Sequence, residues 1–169
     1  QFAGYYAAQW QGYYKDAGID VEIRPATRPN GKLIQPIETI INGSADFAIG
    51  STDILLARDQ GTELTILAPI FQNGPSAIYS LKQTPINTLA QLAQLRIAAT
   101  PGDATKLEVE ALFRSHGYSH QDIQFVDVPV TLDSLLQGKA DAISTYQVSA
   151  EFSSAEKNVQ LNRMLPSDF

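Results

Sequence analysis

No cysteine occurs in the 169 residues, and that one absence removes disulfides, thiolate zinc centres and cysteine nucleophiles. It is compatible with any redox compartment, so it places the protein in none. No run of about 18 apolar residues is present, so no segment of the chain reads as a membrane-spanning helix. Basic charge is also scarce. Twelve Lys and Arg stand against 18 Asp and Glu, for a net charge of -6, and no basic stripe is available to neutralise phosphates, which argues against a nucleic-acid partner. Histidine occurs only twice. His116 and His120 stand four apart, but Gly117 ends the helix between them and no glutamate occupies the position a zincin helix requires. The segment GDATK (102–106) lacks the first glycine and the final hydroxyl of a phosphate loop. There is no G-x-S-x-G elbow, and Glu108 and Glu110 point to different sides of a helix. These residues predict no catalytic group, no metal site and no cofactor.

What is present suits a globular fold. The chain is 44% hydrophobic and 18% charged, enough to bury the core of one domain or of two small lobes. One stretch occurs twice: residues 40–51 read IINGSADFAIGS and residues 135–145 read LLQGKADAIST. In each copy an apolar helical end (Ile40, Ile41; Leu135, Leu136) runs into a glycine, Gly43 or Gly138, suited to the left-handed conformation that stops a helix. Asp46 and Asp141 then open short apolar runs that read as buried strands between helices. Two copies about 95 residues apart, each within its own α/β run, predict two similar lobes facing a cleft.

Read in order, Tyr6, Trp10 and Tyr14 recur at helical spacing and form an aromatic face assigned to the core, with a break at Gly12. Ile19, Val21 and Ile23 alternate with charges as a half-buried strand does. Pro36 fits only a first helical turn, so the next helix begins near Gln35 and ends at Gly43. A strand at 47–49 leads to Ser51 and Thr52, residue types that cap a helix carrying Ile54 to Leu56. A buried strand is predicted over Leu64 to Phe71. Gln72-Asn73-Gly74-Pro75 then makes a first crossing between lobes. Strands follow at 76–81, 95–99, 123–128 and 142–143, with a weaker one at 159–165. Helices are predicted over 86–92, from Asp103 or Thr105 to His116, around Leu132 to Leu136, and over 149–156; Thr105 and Glu108 have capping-box spacing. Ser144 to Gln147 is the second crossing.

Three blocks, QFAGYYAAQWQGYYKDAGIDVEI, the Pro36 helix with NGSADFAIGSTDILLAR, and QGKADA followed by the terminal PSDF, resemble the NMT1/THI5-like solute-binding proteins over nearly the whole chain. The resemblance implies an α/β type II periplasmic-binding fold with two lobes, two hinge crossings and a cleft. Residues 1–73 and 148–169 would form lobe 1, truncated at both ends, and residues 74–147 lobe 2. An incomplete lobe 1 would leave a strand edge on which a second copy could pair as a dimer. The resemblance further implies a periplasmic or extracytoplasmic location, free or membrane-anchored. The implied function is receptor for an ABC importer of thiamine-precursor pyrimidines, sulfonates or similar small compounds. The alternative is the sensor domain of a membrane histidine kinase or diguanylate cyclase, covalently linked to its signalling module. Fungal members resemble pyrimidine synthases with a cysteine-rich motif; the lack of cysteine speaks against that activity in this chain, and no enzyme is expected.

The expected binding mode is capture in the cleft. A flat ligand would stack on Phe2, Tyr5 or Tyr146, because ring faces give contact area at little rotamer cost. Ser51 and Thr52 would fix its polar groups from one side, and Gly102, Asp103, Ala104 and Thr105 from the other. Gln72, Asn73 and Gln147, at the crossings, would touch ligand and accommodate closure. Asp103 would favour a cationic or amine-bearing ligand over a sulfonate.

Overall fold

The computed structural model of the chain describes residues 2–26, 34–100 and 104–169. Its contacts divide into two compact units, residues 1–50 and 51–169.

The first unit contains helices α1 (Ala3–Trp10), α2 (Tyr13–Asp16) and α3 (Pro36–Ile41). The helix breaks at Gly12 as its sequence suggests, and Pro36 opens α3 with Gln35 at its cap. The aromatic face differs from expectation. Tyr6 and Trp10 pair with ring centroids 5.9 Å apart, yet Trp10 is 79% exposed and α1 buries no residue. The runs 19–23 and 47–49 form no strand, and Phe47 is 75% exposed. Alternation makes a segment fit for a sheet, but a strand exists only when a second strand takes up its N–H and C=O groups. None of the described residues does so for these runs.

The second unit contains α4 (Asp53–Asp59), β1 (Ser76–Leu81), α5 (Leu89–Leu92), β2 (Arg96–Ala99), α6 (Ala104–Ser115), β3 (Gln124–Asp127), α7 (Leu132–Leu136), β4 (Ala142–Tyr146), α8 (Gln147–Lys157) and β5 (Leu161–Met164). The five strands form one sheet in the order β3-β2-β4-β1-β5. β2 runs parallel to β3 and β4, while β1 runs antiparallel to β4 and β5. Residues 148–169 thus supply α8 and the edge strand β5 to this sheet. The run 64–71, read as a buried strand, is instead exposed and unpaired among the described residues, with Leu67 at 71% and Ile70 at 52%.

Strand alternation sorts the core into two layers. Ile78, Ile97 and Ala142 face α5 and α6, where Leu92, Val109, Leu112 and Phe113 fill one cluster. Ala77, Tyr79, Ala98 and Ile143 face the opposite side, packing with Leu132, Leu135 and Ala150 of α7 and α8. Phe113, Ile78, Leu92 and Ile97 are fully buried, so the sheet is covered on both faces, as parallel pairing requires. The short helices carry side-chain caps: Thr88 accepts from the Gln91 N–H and Thr131 from the Ser134 N–H. Thr88 starts α5 three residues later than Pro85 suggested, because its side chain satisfies a free N–H of the first turn.

The two repeats adopt one local design. Gly43 (φ 71°) and Gly138 (φ 64°) both take the left-handed conformation. Three backbone bonds recur in matching positions: Asn42 N–H to the Glu38 carbonyl and Gln137 N–H to Asp133, Gly43 to Ile40 and Gly138 to Leu135, Ala45 to Thr39 and Ala140 to Ser134. An arginine clasps each turn. Arg24 donates to the Ser44 carbonyl at 3.0 Å, and Arg96 donates to the Gly138 carbonyl at 3.0 Å and to both carboxylate oxygens of Asp141 at 2.9 Å. The second clasp ties the start of β2 to the start of β4. The Arg96 side-chain bond is the main cause holding the Asp141 carboxyl below the ordinary carboxylate range, against some burial that raises it.

No helix among the described residues is long and apolar enough to cross a membrane.

Candidate functional site

The site follows from strand order. β2, β3, β4 and β5 end at one edge of the sheet, and β1, being antiparallel, begins there. From β2 the chain passes through α6 to β3 on one side; from β3 it returns through α7 to β4 on the other side of β2. The strand order therefore reverses between β2 and β4. In open α/β sheets the crevice outside the carboxyl ends at such a reversal is where ligands sit, because the outgoing loops diverge and leave a gap.

Six of the twelve residues expected to bind ligand converge on this edge. Ala104 and Thr105 open α6 directly after β2, and the Thr105 hydroxyl donates to the Ser144 carbonyl at 3.0 Å, across the reversal point. Thr105 therefore lies inside the helix and ties α6 to β4, a different role from the cap its spacing with Glu108 suggested. Tyr146 ends β4 and Gln147 begins α8. Gln72 and Asn73 lie exposed in the segment entering β1. The two crossing segments are joined, since the Gln147 N–H donates to the Pro75 carbonyl at 3.0 Å and Ser76 stands opposite Tyr146 in the β1–β4 ladder.

Ser51 and Thr52 stand at the start of α4, as read from the sequence, but neither side chain caps it. Both the N–H and the hydroxyl of Ser51 donate to one carboxylate oxygen of Asp53, at 3.0 and 2.9 Å, and Thr52 makes no side-chain cap bond. Asp53, itself in the first turn, thus engages the Ser51 hydroxyl as a donor, where a cap would use it as an acceptor for a first-turn N–H. Phe2 (43% exposed) caps α1 by position and Tyr5 lies half-buried within it, both in the first unit. Gly102 and Asp103 lie outside the described residues.

Two residues at the edge escaped the sequence reading. Phe71 packs its ring edge-on against Tyr146, with centroids 6.1 Å apart and planes at 69°, and stays 48% exposed. Ser76 is 4% exposed, and its hydroxyl has no hydrogen-bond partner among the described residues. Phe71 was hidden in an apolar run that reads as a strand. Ser76 carries no sequence signal, because a serine in an alternating strand looks like an outward-facing residue.

A shallow depression of about 280 Å³, lined in part by Leu81, Thr84, Leu135 and Asp141, lies at the opposite edge, where β4 begins and β1 ends. Its carboxylate is already committed to Arg96, so it offers a ligand little. Among the described residues no three His, Asp or Glu side chains are grouped to hold a metal ion.

A mixed sheet covered on both faces, with polar residues at the reversal edge, makes this an open-sheet α/β protein. The fold matches that of a Bordetella bronchiseptica RB50 protein (TM-score 0.66, 23% identity, 91% of this chain and 49% of that one). It also matches a structure described as the periplasmic sulfonate-binding protein SsuA of Methylobacillus flagellatus KT (TM-score 0.62, 23% identity, 89% and 46%). The chain belongs to the family described as NMT1/THI5 like, which matches residues 1–169.

Among its relatives is the riboflavin-binding protein RibY of Chloroflexus aurantiacus, 25% identical over 99% of this chain and 48% of that protein. The formylaminopyrimidine-binding protein of Halalkalibacterium halodurans is 22% identical over 87% and 44%. The Saccharomyces cerevisiae 4-amino-5-hydroxymethyl-2-methylpyrimidine phosphate synthase THI5 is 24% identical over 81% and 40%. The chain thus spans about half the length of the relatives it matches or less.

Proposed function

We propose that this chain is the ligand-receiving part of an extracytoplasmic solute receptor. It holds a small, flat, nitrogen-containing compound at the carboxyl edge of the sheet and hands it to the membrane components of an ABC importer. The observation that carries this reading is the meeting of Thr105, Tyr146, Gln147, Gln72 and Asn73 at the β2–β4 reversal in a chain of this family. Tyr146 supplies a ring face, and the amides of Gln72, Asn73 and Gln147 offer both donors and acceptors for a heterocycle's polar rim. Riboflavin and formylaminopyrimidine, for which two relatives are named, are both flat nitrogen heterocycles with such rims.

In this reading α8 and β5 belong with residues 74–147, whose sheet they complete, and the segments joined at Pro75 and Gln147 border the ligand edge. The same capture would serve a sensor domain with a covalently linked signalling module; the full-length protein's membrane partners decide between these uses. Two relatives named as binding proteins support binding over synthesis, and the yeast synthases resemble the chain without lending it a cysteine.

Thermal unfolding in the presence of riboflavin, formylaminopyrimidine, thiamine-precursor pyrimidines and alkyl sulfonates tests the proposal. A ligand at 100 times its Kd adds about 2.7 kcal/mol, a shift of roughly 5–10 °C for a chain of this size. Tyr146→Ala should abolish it. Absence of any shift across the panel, or an equal shift in Tyr146→Ala, would overturn the assignment.

A further inference from the structure

A buried hydroxyl without a partner is costly, because its bonds to water are lost and nothing replaces them. Ser76 carries one, at 4% exposure, and it stands at the ligand edge rather than in the middle of the core. In the ladder Ser76 faces Tyr146, and directly opposed side chains on one face of a sheet are neighbours. By strand alternation Ser76 shares its face with Ile78 and so with α6, the helix whose first turn holds Thr105 against Ser144. The half-exposed ring of Phe71 packs edge-on against Tyr146. Tyr146 therefore has an aromatic neighbour on one side and, across the ladder, a residue with an unused hydroxyl.

We infer that Ser76 is a ligand-contacting residue and Phe71 its removable cover, and that the ligand class they select is a heteroaromatic ring with a hydrogen-bonding edge. This rests on the binding function proposed above and names the chemistry of the same site. An incoming flat ring replaces Phe71 against Tyr146, so one aromatic contact is exchanged for another. Its edge nitrogen or carbonyl then meets the Ser76 hydroxyl, which can donate or accept. An aliphatic ligand would displace Phe71 without restoring the ring contact, so the arrangement discriminates against it.

The prediction separates stability from binding. Without ligand, Ser76→Ala should unfold at the same temperature as the parent or higher, because it removes an unsatisfied group. Its affinity for the probes riboflavin and formylaminopyrimidine, measured by calorimetric titration, should fall about tenfold. Phe71→Ala should bind the same probes about two- to tenfold more tightly, since the cover no longer has to be displaced. A Ser76→Ala variant that is destabilised yet binds the probes like the parent would show a hydroxyl paired with an internal water, and the inference would fall while the binding function stood. Weaker binding in Phe71→Ala would also overturn the cover. If the parent bound neither probe, the heteroaromatic assignment would fall; retained binding of another compound in the panel would leave the receptor reading intact.

Discussion

Thr105→Val tests the tie that shapes the site. The β2–β4 ladder pairs Ile97 with Ala142 and Ala98 with Ile143, so Ser144 lies one residue beyond the last pair. There the Thr105 hydroxyl, at 3.0 Å, supplies a donor to the Ser144 carbonyl, in a residue only 3% exposed. Valine keeps nearly the shape of threonine, so no cavity opens and the cost is that of an under-satisfied buried carbonyl, about 1–3 kcal/mol. A carbonyl oxygen has a second lone pair, which argues for the lower half of that range, about 1–2 kcal/mol. For a chain of this length each kcal/mol lowers Tm by roughly 2–4 °C, so thermal unfolding followed by circular dichroism should show a drop of several degrees. Thr105→Ser retains the hydroxyl and should recover most of the loss. A Thr105→Val variant as stable as the parent, or a Thr105→Ser variant just as weakened, would refute the reasoning.

Other expected outcomes concern the clasp, the core and the turn. Asp141 has a folded-state pKa below its unfolded value, so its pairing with Arg96 stabilises above pH about 4 and is lost as pH falls through the folded value. With Arg96 45% and Asp141 31% exposed, solvent screening keeps the contribution of the pair small. Asp141→Asn should lower the urea midpoint at pH 7 and match the parent near the bottom of the titration; a gap independent of pH would count against the clasp. Phe113→Ala, at a fully buried position, should cost about 3–5 kcal/mol in urea unfolding, and a loss below about 1 kcal/mol would mean that α6 is loosely packed. Gly138→Ala forces a side chain to φ 64° and should cost about 1 kcal/mol, against little change for Gly4→Ala in an exposed helix. Tyr79 buries a hydroxyl with no partner among the described residues. Its pKa is raised chiefly by that burial, so Tyr79→Phe should leave the unfolding temperature unchanged or higher.

Much of the second unit was legible in the sequence because its signals are local. The five strands at 76–81, 96–99, 124–127, 142–146 and 161–164 fall where short apolar runs lie between turn residues. Gly43 and Gly138 end their helices because a left-handed residue without a Cβ is the least costly stop. The family resemblance rested on the same local features and is matched across residues 1–169. Of the candidate site, half the residues named from the sequence meet at one edge: Ala104 and Thr105 at the start of α6, Tyr146 at the end of β4, Gln147 at the start of α8, and Gln72 and Asn73 before β1, all at element ends that the sequence marks and the strand order gathers.

Pairing and burial belong to the tertiary structure. The runs at 19–23, 47–49 and 64–71 alternate or cluster like strands, but whether a run becomes a strand depends on a partner distant in sequence, which periodicity does not encode. That Asp141 is a staple for Arg96, 45 residues away, was invisible for the same reason. Ser76 shows the limit most clearly. Its hydroxyl becomes unusual only once β1 pairs with β4 and the sheet is covered, because burial is a property of surroundings and not of a residue type.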